Sequence, residues 1–317
     1  MAYTAGDSIL DDEYNAFVGN SSSPFGYNHF AGAGSANYGL NQSSIATVSA
    51  GGTINASNWN SLFTGLDNIA NHTNVSITST SVSAGDAIAI KSALVSDLAS
   101  LAAAVAAGST SATAISSAAA GSSSNSATWN GTSTIERSIT FANSATMRAF
   151  FNGGGFIRID PSCTTGIDGS KDDVFNDLTV TAIGNLDLKA HITSRSGSGE
   201  TLTTNGLANG FHELTTGYTV LLKLTSDNSG YTSNTVEISA KLNAAPATAT
   251  VLTIKMVSTD ADNDDTYTAG NTDGVPANPN EAPIMVLALL ENYPTDAQGL
   301  AAAIRAASNA EVSNSTS

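Results

Sequence analysis

Apolar and polar positions follow two rhythms along this chain, a three-and-four spacing before residue 107 and a spacing of two after residue 134. The first rhythm predicts helices. Residues 8–18, SILDDEYNAFV, set Ile9, Tyr14, Phe17 and Val18 on one helical face, with Asp7 or Ser8 placed to cap the first turn. Further on, Asn55 or Ser57 can cap a helix carrying Trp59, Leu62, Phe63, Leu66 and Ile69, and a second helix carries Leu94, Leu98, Leu101 and Val105. A copy of a weak repeat precedes each, VSAGGTI at 48–54 and VSAGDAI at 82–88. Two turn-helix units are therefore expected, too few for a solenoid. The second rhythm predicts strands. TIERSITF at 134–141 alternates, SATMRAFF at 144–151 reads as a short helix behind Ser144, Gly153, Gly154 and Gly155 stop it, and Phe156–Ile159 opens another strand. From Leu178 to Leu290 come LTVTAI, LDLKAHIT, FHELTTGYTVLLKLT, TVEISAKL, TATVLTIKMV and APIMVLALL, parted by turn clusters such as Ser226–Gly230. Short strands with polar turns at regular intervals make an antiparallel sandwich.

Two stretches follow neither rhythm. Residues 19–42 are rich in Gly, Ser, Asn and aromatics and read as an extended arm or loop, whose Phe25, Tyr27, Phe30 and Tyr38 need cover from another chain or from the loop folding on itself. Residues 106–126 are almost wholly Ala, Ser, Gly and Thr, a composition that buries little apolar surface. The expected fold is thus α+β, a small helical N-terminal region followed by an antiparallel β-sandwich-like domain. Its parts are a helix and arm over 1–42, turn-helix units over 43–107, an Ala/Ser-rich linker over 108–133, a β-rich domain over 134–310 and a disordered tail over 311–317.

Composition narrows the function. Charged residues are only 12% of the chain, and 27 acidic against 11 basic side chains leave a net charge of −16. The first 136 residues hold one cation, Lys91. Nucleic-acid binding needs clustered Lys and Arg to neutralise phosphates, so a nucleic-acid partner is not expected. Cys163 stands alone, which excludes an intrachain disulfide and a cysteine zinc site; it reads as a small buried hydrophobe. Ala93–Ala107 is too short to span a bilayer, and the start lacks a basic leader with an apolar stretch, so assembly in the cytoplasm is expected.

Candidate chemistry is sparse. The run 258–268, STDADNDDTYT, brings together Asp260, Asp262, Asp264 and Asp265, oxygen donors of the kind that hold a structural calcium. Asp265 stands where an EF-hand loop needs Gly and Asn271 where it needs a bidentate Glu, so a solvated acidic hairpin is the plainer reading. Paired carboxylates occur at Asp172–Asp173 and Asp11–Glu13, away from any aromatic sugar platform, and His29, His72, His191 and His212 are scattered. No catalytic residue or organic cofactor is expected.

The segment 139–159, ITFANSATMRAFFNGGGFIRI, resembles a pattern that recurs in structural and tail-fibre-like proteins of tailed phages, especially myoviruses of marine cyanobacteria. There a strand, a short helix and an aromatic-Asn-Gly-Gly turn lead into a β-domain. The stretch 211–241, FHELTTGYTVLLKLTSDNSGYTSNTVEISAK, looks like the continuation of that domain, and INASNWNSLFTGLDNIANH at 54–72 is similar to segments preceding it. The resemblance implies a virion component rather than a particular place on the virion. The expected role is a non-enzymatic subunit that self-associates, as a trimer or ring, and is incorporated in the tail, baseplate, neck or fibre region. Its partners would be copies of itself and other virion proteins. The aromatic arm with Phe25, Tyr27, Phe30 and Tyr38, and the apolar helix face with Trp59 and Phe63, supply the contact residues expected from the sequence itself. Rival readings are a head decoration protein and a module binding a host-surface glycan through tyrosines such as Tyr218, Tyr231 and Tyr267.

Overall fold

The structure, a computed structural model, describes residues 11–19, 21–22, 25–32, 38–83, 91–125, 129, 131–164, 171–228, 231–261, 284–295, 300, 303–306 and 308–316. The chain forms two compact units that interleave in sequence. One comprises Met1–Ser116, Ala145–Gly155 and Tyr293–Arg305, and the other Ser117–Ser144, Phe156–Asn292 and Ala306–Ser317. The helix and glycine turn expected inside the β-domain thus belong with the N-terminal helices.

In the first unit, α1 (Asp11–Gly19) begins with three carboxylates, which favour the positive end of a helix, and buries Tyr14, Phe17 and Val18. Helix α2 (Ala56–Thr73) starts at a capping box in which the Asn55 side chain accepts from the Ser57 and Asn58 amides. It ends where Asn74 turns left-handed, with φ 56°. Its apolar stripe, Leu62, Phe63, Leu66 and Ile69, is buried, as are Leu94, Leu98, Leu101 and Val105 of α3 (Lys91–Ala106). Trp59 meets Tyr14 edge-on at 5.3 Å and Phe17 at 6.1 Å, which joins α1 to α2. The fourth helix, α4 (Ser144–Asn152), buries Met147, Phe150 and Phe151 and stops at Gly153–Gly155. Gly155 is needed there, because an added Cβ would sit 2.6 Å from the Phe150 carbonyl oxygen.

The second unit holds two antiparallel sheets that pack in a β-sandwich-like manner. One has the order β1 (Ile115–Ser124), β10 (Ile284–Pro294), β3 (Phe156–Thr164), β4 (Leu186–Leu188), β5 (Thr193–Arg195). The other runs β11 (Ser308–Thr316), β2 (Thr132–Thr140), β9 (Val251–Thr259), β8 (Thr235–Leu242), β7 (Thr219–Thr225), β6 (Thr201–Asn205). Alternation fixes the register: Ile135 and Ile139 of β2, Leu252, Ile254 and Met256 of β9, and Met285, Leu287 and Leu289 of β10 are all buried. Cys163 is buried, as expected of a small hydrophobe.

Four expectations are corrected. The Ala/Ser-rich linker over 108–133 contains β1, a strand whose small side chains still take an edge of the five-stranded sheet. Of the tail expected to be disordered, residues 311–316 belong to β11, ordered by backbone pairing to β2 from Ser308↔Thr140 to Thr316↔Ser133. LTVTAI at 178–183 is helical, not a strand, because α5 (Lys171–Asn176) runs on as a π-helical turn over Asp177–Ile183. Leu178, Thr179, Ala182 and Ile183 are buried together in it, Thr179 Oγ1 donates to the Phe175 carbonyl at 2.7 Å, and Gly184 closes it at φ 60°. Burial along one helical face here overrides the strand preference of Val and Thr. Finally, Phe211–Glu213 is a helical turn, so β7 starts only at Thr219, and β6 has no counterpart in the expected strands.

Candidate functional site

Of the six aromatic residues expected to meet neighbouring subunits, Tyr27, Phe30, Trp59 and Phe63 are buried within this chain's own first unit. Phe25 and Tyr38 are half-buried. The arm does not extend: Tyr27–His29 makes a helical turn, and Leu40 N–H donates back to the Phe30 carbonyl at 2.8 Å. Inside the loop so formed, His29 stacks on Phe25 at 4.0 Å and lies 4.4 Å from Tyr38, and its burial lowers the imidazole's proton affinity. These rings therefore offer a second chain little apolar surface.

A device absent from the sequence-based expectations organises the first unit. Asn15 Nδ2 donates to the Val48 carbonyl at 2.7 Å while Val48 N–H donates to Asn15 Oδ1 at 2.8 Å. Asn28 holds Ile45 in the same way, both bonds at 2.8 Å, and Asn60 holds Val82, both at 2.9 Å. A primary amide carries the donor and acceptor of a peptide group, so each Asn supplies one rung of a sheet to an extended segment that has no strand beside it. The signal was present in the sequence as Tyr14-Asn15-Ala16-Phe17, Tyr27-Asn28-His29-Phe30 and Trp59-Asn60-Ser61-Leu62, an aromatic-Asn pair followed two residues later by a large apolar side chain. The aromatic residue and the later apolar one are buried in each copy. Asp97 of α3 completes the pattern by accepting from the Thr78 and Ser79 amides and hydroxyls, at 2.5 Å for Ser79 Oγ. Burial raises its carboxyl, but these bonds outweigh it and leave the proton affinity lowered.

Between α2 and residues 42–45 lies a groove of about 840 Å³, lined by Gln42, Ser43, Ile45, Asn60, Thr64 and others, none of them charged. It presents hydroxyls and amides and offers no group to transfer a proton at neutral pH. Of the acidic run, Asp260 is buried at the end of β9 and its amide donates to the Gly131 carbonyl; Asp262, Asp264 and Asp265 lie outside the described residues. Among the described residues no three His, Cys, Asp or Glu side chains gather where they could hold a metal ion, and no helix is long and apolar enough to cross a membrane.

The scattered histidines are partly brought together. His191 stacks on His212 at 4.7 Å and its Nδ1 lies 2.9 Å from Glu213 Oε1. Tyr218, a candidate glycan platform, has the Lys255 and Lys241 ammonium groups 3.9 and 4.3 Å from its ring centroid, so a sugar would have to displace a cation–π contact. Tyr231 is buried, and Tyr267 lies outside the described residues.

The most unusual polar group sits at one margin of the second unit. Arg137 of β2 is 5% exposed, and its guanidinium donates to Ser123 Oγ of β1 at 2.5 Å and to Asn309 Oδ1 of β11 at 3.2 Å. Burial lowers its proton affinity and the charge of Glu311 acts in the opposite sense. Gly121, at φ 87°, leaves room for it: any Cβ there would collide with the guanidinium and lie 2.8 Å from Asn309 Oδ1. The two outer strands of the six-stranded sheet are exposed. Every residue of β6 is open to solvent, and so are the residues of β11 from Ser308 to Ser315.

No protein-family model, no curated protein and no solved structure matches this chain.

Proposed function

We propose that this chain is a non-enzymatic structural subunit of a tailed-phage particle, which self-associates and is built into the tail, baseplate, neck or fibre region. The observation that carries the self-association is the six-stranded sheet with both outer strands exposed, β6 and β11. Monomeric β-proteins commonly shield such edges with Lys, Pro or bulges; TLTTN and SNAEVSNST contain no Lys or Pro, and each ladder has a single register shift. The phage assignment rests on the resemblance of segments 139–159 and 211–241, and with it goes assembly in the host cytoplasm and residence in the virion. The contacts are assigned to sheet edges rather than to the N-terminal rings, four of which are buried within this chain.

Light scattering on the purified protein over a range of concentrations, with and without calcium, tests this reading. A defined trimer or larger ring is the expected result. A monomer at every concentration overturns self-association, and a mass that changes with calcium would give the acidic run 260–265 a ligand.

A further inference from the structure

We propose that β11 is an exchangeable strand, which in the self-associated protein completes the β2 edge of a neighbouring copy instead of its own. The inference rests on the self-association proposed above and names its contact. Strands of a sandwich are ordinarily held by side chains on at least one buried face. None holds β11: its residues are exposed, Thr316 alone being half-buried, and even Val312 is 53% exposed. What fixes it is the backbone ladder to β2 and a few polar side chains. A ladder of that kind is the same whether the strand comes from one copy or another, the condition under which exchange of an element between identical chains carries little cost.

The β2 edge is nevertheless selective. Arg137 waits there with Asn309 Oδ1 as one of its acceptors and Glu311 as the nearby counter-charge, and Asn314 Nδ2 donates to the Ser124 carbonyl at 2.7 Å. A buried cation stripped of these groups is costly, so the edge demands a strand carrying Asn and Glu two residues apart, and the chain's own β11 is such a strand. Connectivity does not oblige β11 to pair with its own β2, while the chain is held in place as far as Ala306, whose amide donates to Glu291 Oε1 at 2.6 Å. The rung Ser308↔Thr140 joins residues far apart in sequence, so no hairpin turn ties β11 to β2, and the chain reaches it from the first unit after Arg305.

Cysteine pairing across the ladder distinguishes the two routes. Ser138 faces Ala310 in the register, and both lie where a cysteine is tolerated, half-buried and exposed. With Cys163→Ala as background, Ser138→Cys and Ala310→Cys chains are made separately, co-expressed, oxidised at concentrations where light scattering shows the oligomer, and run on a denaturing gel without reductant. Strand exchange gives a reducible band at twice the chain mass from the mixture and covalent multimers from the Ser138→Cys/Ala310→Cys double variant. A double variant that bridges only within one chain, together with a mixture that stays single, overturns the exchange while an oligomeric mass leaves self-association standing. A monomeric mass with the same gel overturns both. Circular dichroism matching the parent sequence confirms that the variants are folded.

Discussion

At the scale of single residues, the asparagine rungs make the sharpest demands. Asn60→Ala strips partners from both the amide and the carbonyl of Val82, so a loss of about 1–3 kcal/mol is expected in urea unfolding. Asn60→Asp keeps the acceptor for the Val82 amide but loses the donor, and is expected to be damaging as well. His72 carries a pH dependence. It is fully buried on α2, its Nε2 lies 2.8 Å from the Gly153 carbonyl oxygen, and burial lowers its proton affinity more than that bond raises it. Since the folded-state value lies below the unfolded value of about 6.5, the unfolded chain takes up the proton first. The stabilisation from neutral His72 is therefore complete above pH 6.5 and declines as pH falls through and below it. His72→Gln should flatten the melting temperature between pH 7.5 and 5.5; an unchanged slope would refute this origin. Gly121→Ala forces a side chain into a left-handed conformation against Arg137, with an expected loss of about 1–3 kcal/mol in thermal unfolding.

At the scale of elements, what was legible in the sequence is what burial decides locally. The stripes of α2 and α3 and the alternation of β2, β8, β9 and β10 appear in their apolar spacing, because each buries one face. The elements that escaped are those whose order comes from partners. The side chains of β1 and β11 are too small or too polar to announce a strand, and backbone pairing makes them strands all the same. LTVTAI has strand-forming residues, yet its neighbours Val174 and Phe175 continue a helical face that the pattern of six residues could not display. For the candidate site, Tyr27, Phe30, Trp59 and Phe63 were visible as apolar residues but not as self-covered core, since cover such as that of Tyr14 and Phe17 on Trp59 comes from residues distant in sequence. Arg137 falls in phase with Ile135 and Ile139, so its inward direction was legible, but its partners Ser123 and Asn309 come from strands the apolar spacing did not announce. Asp97→Ala removes the acceptor for the Thr78 and Ser79 amides, so faster hydrogen exchange is expected at those two positions, with a loss of about 2–3 kcal/mol in overall stability.

At the scale of the molecule, charge and sheet edges point in one direction. With a net charge of −16, copies repel one another at long range, so self-association through polar edge strands should strengthen as salt screens that repulsion. Raising sodium chloride from 50 to 500 mM is expected to shift the light-scattering mass upward, and a downward shift would indicate contacts made by ion pairs. The interleaving of the two units has a mechanical side. The backbone crosses from one to the other after residues 116, 144, 155, 292 and 305, so five tethers connect them where a bead-on-a-string protein has one. A pulling force on either unit is shared among five covalent paths, and a protease that severs any one of them leaves the two halves joined.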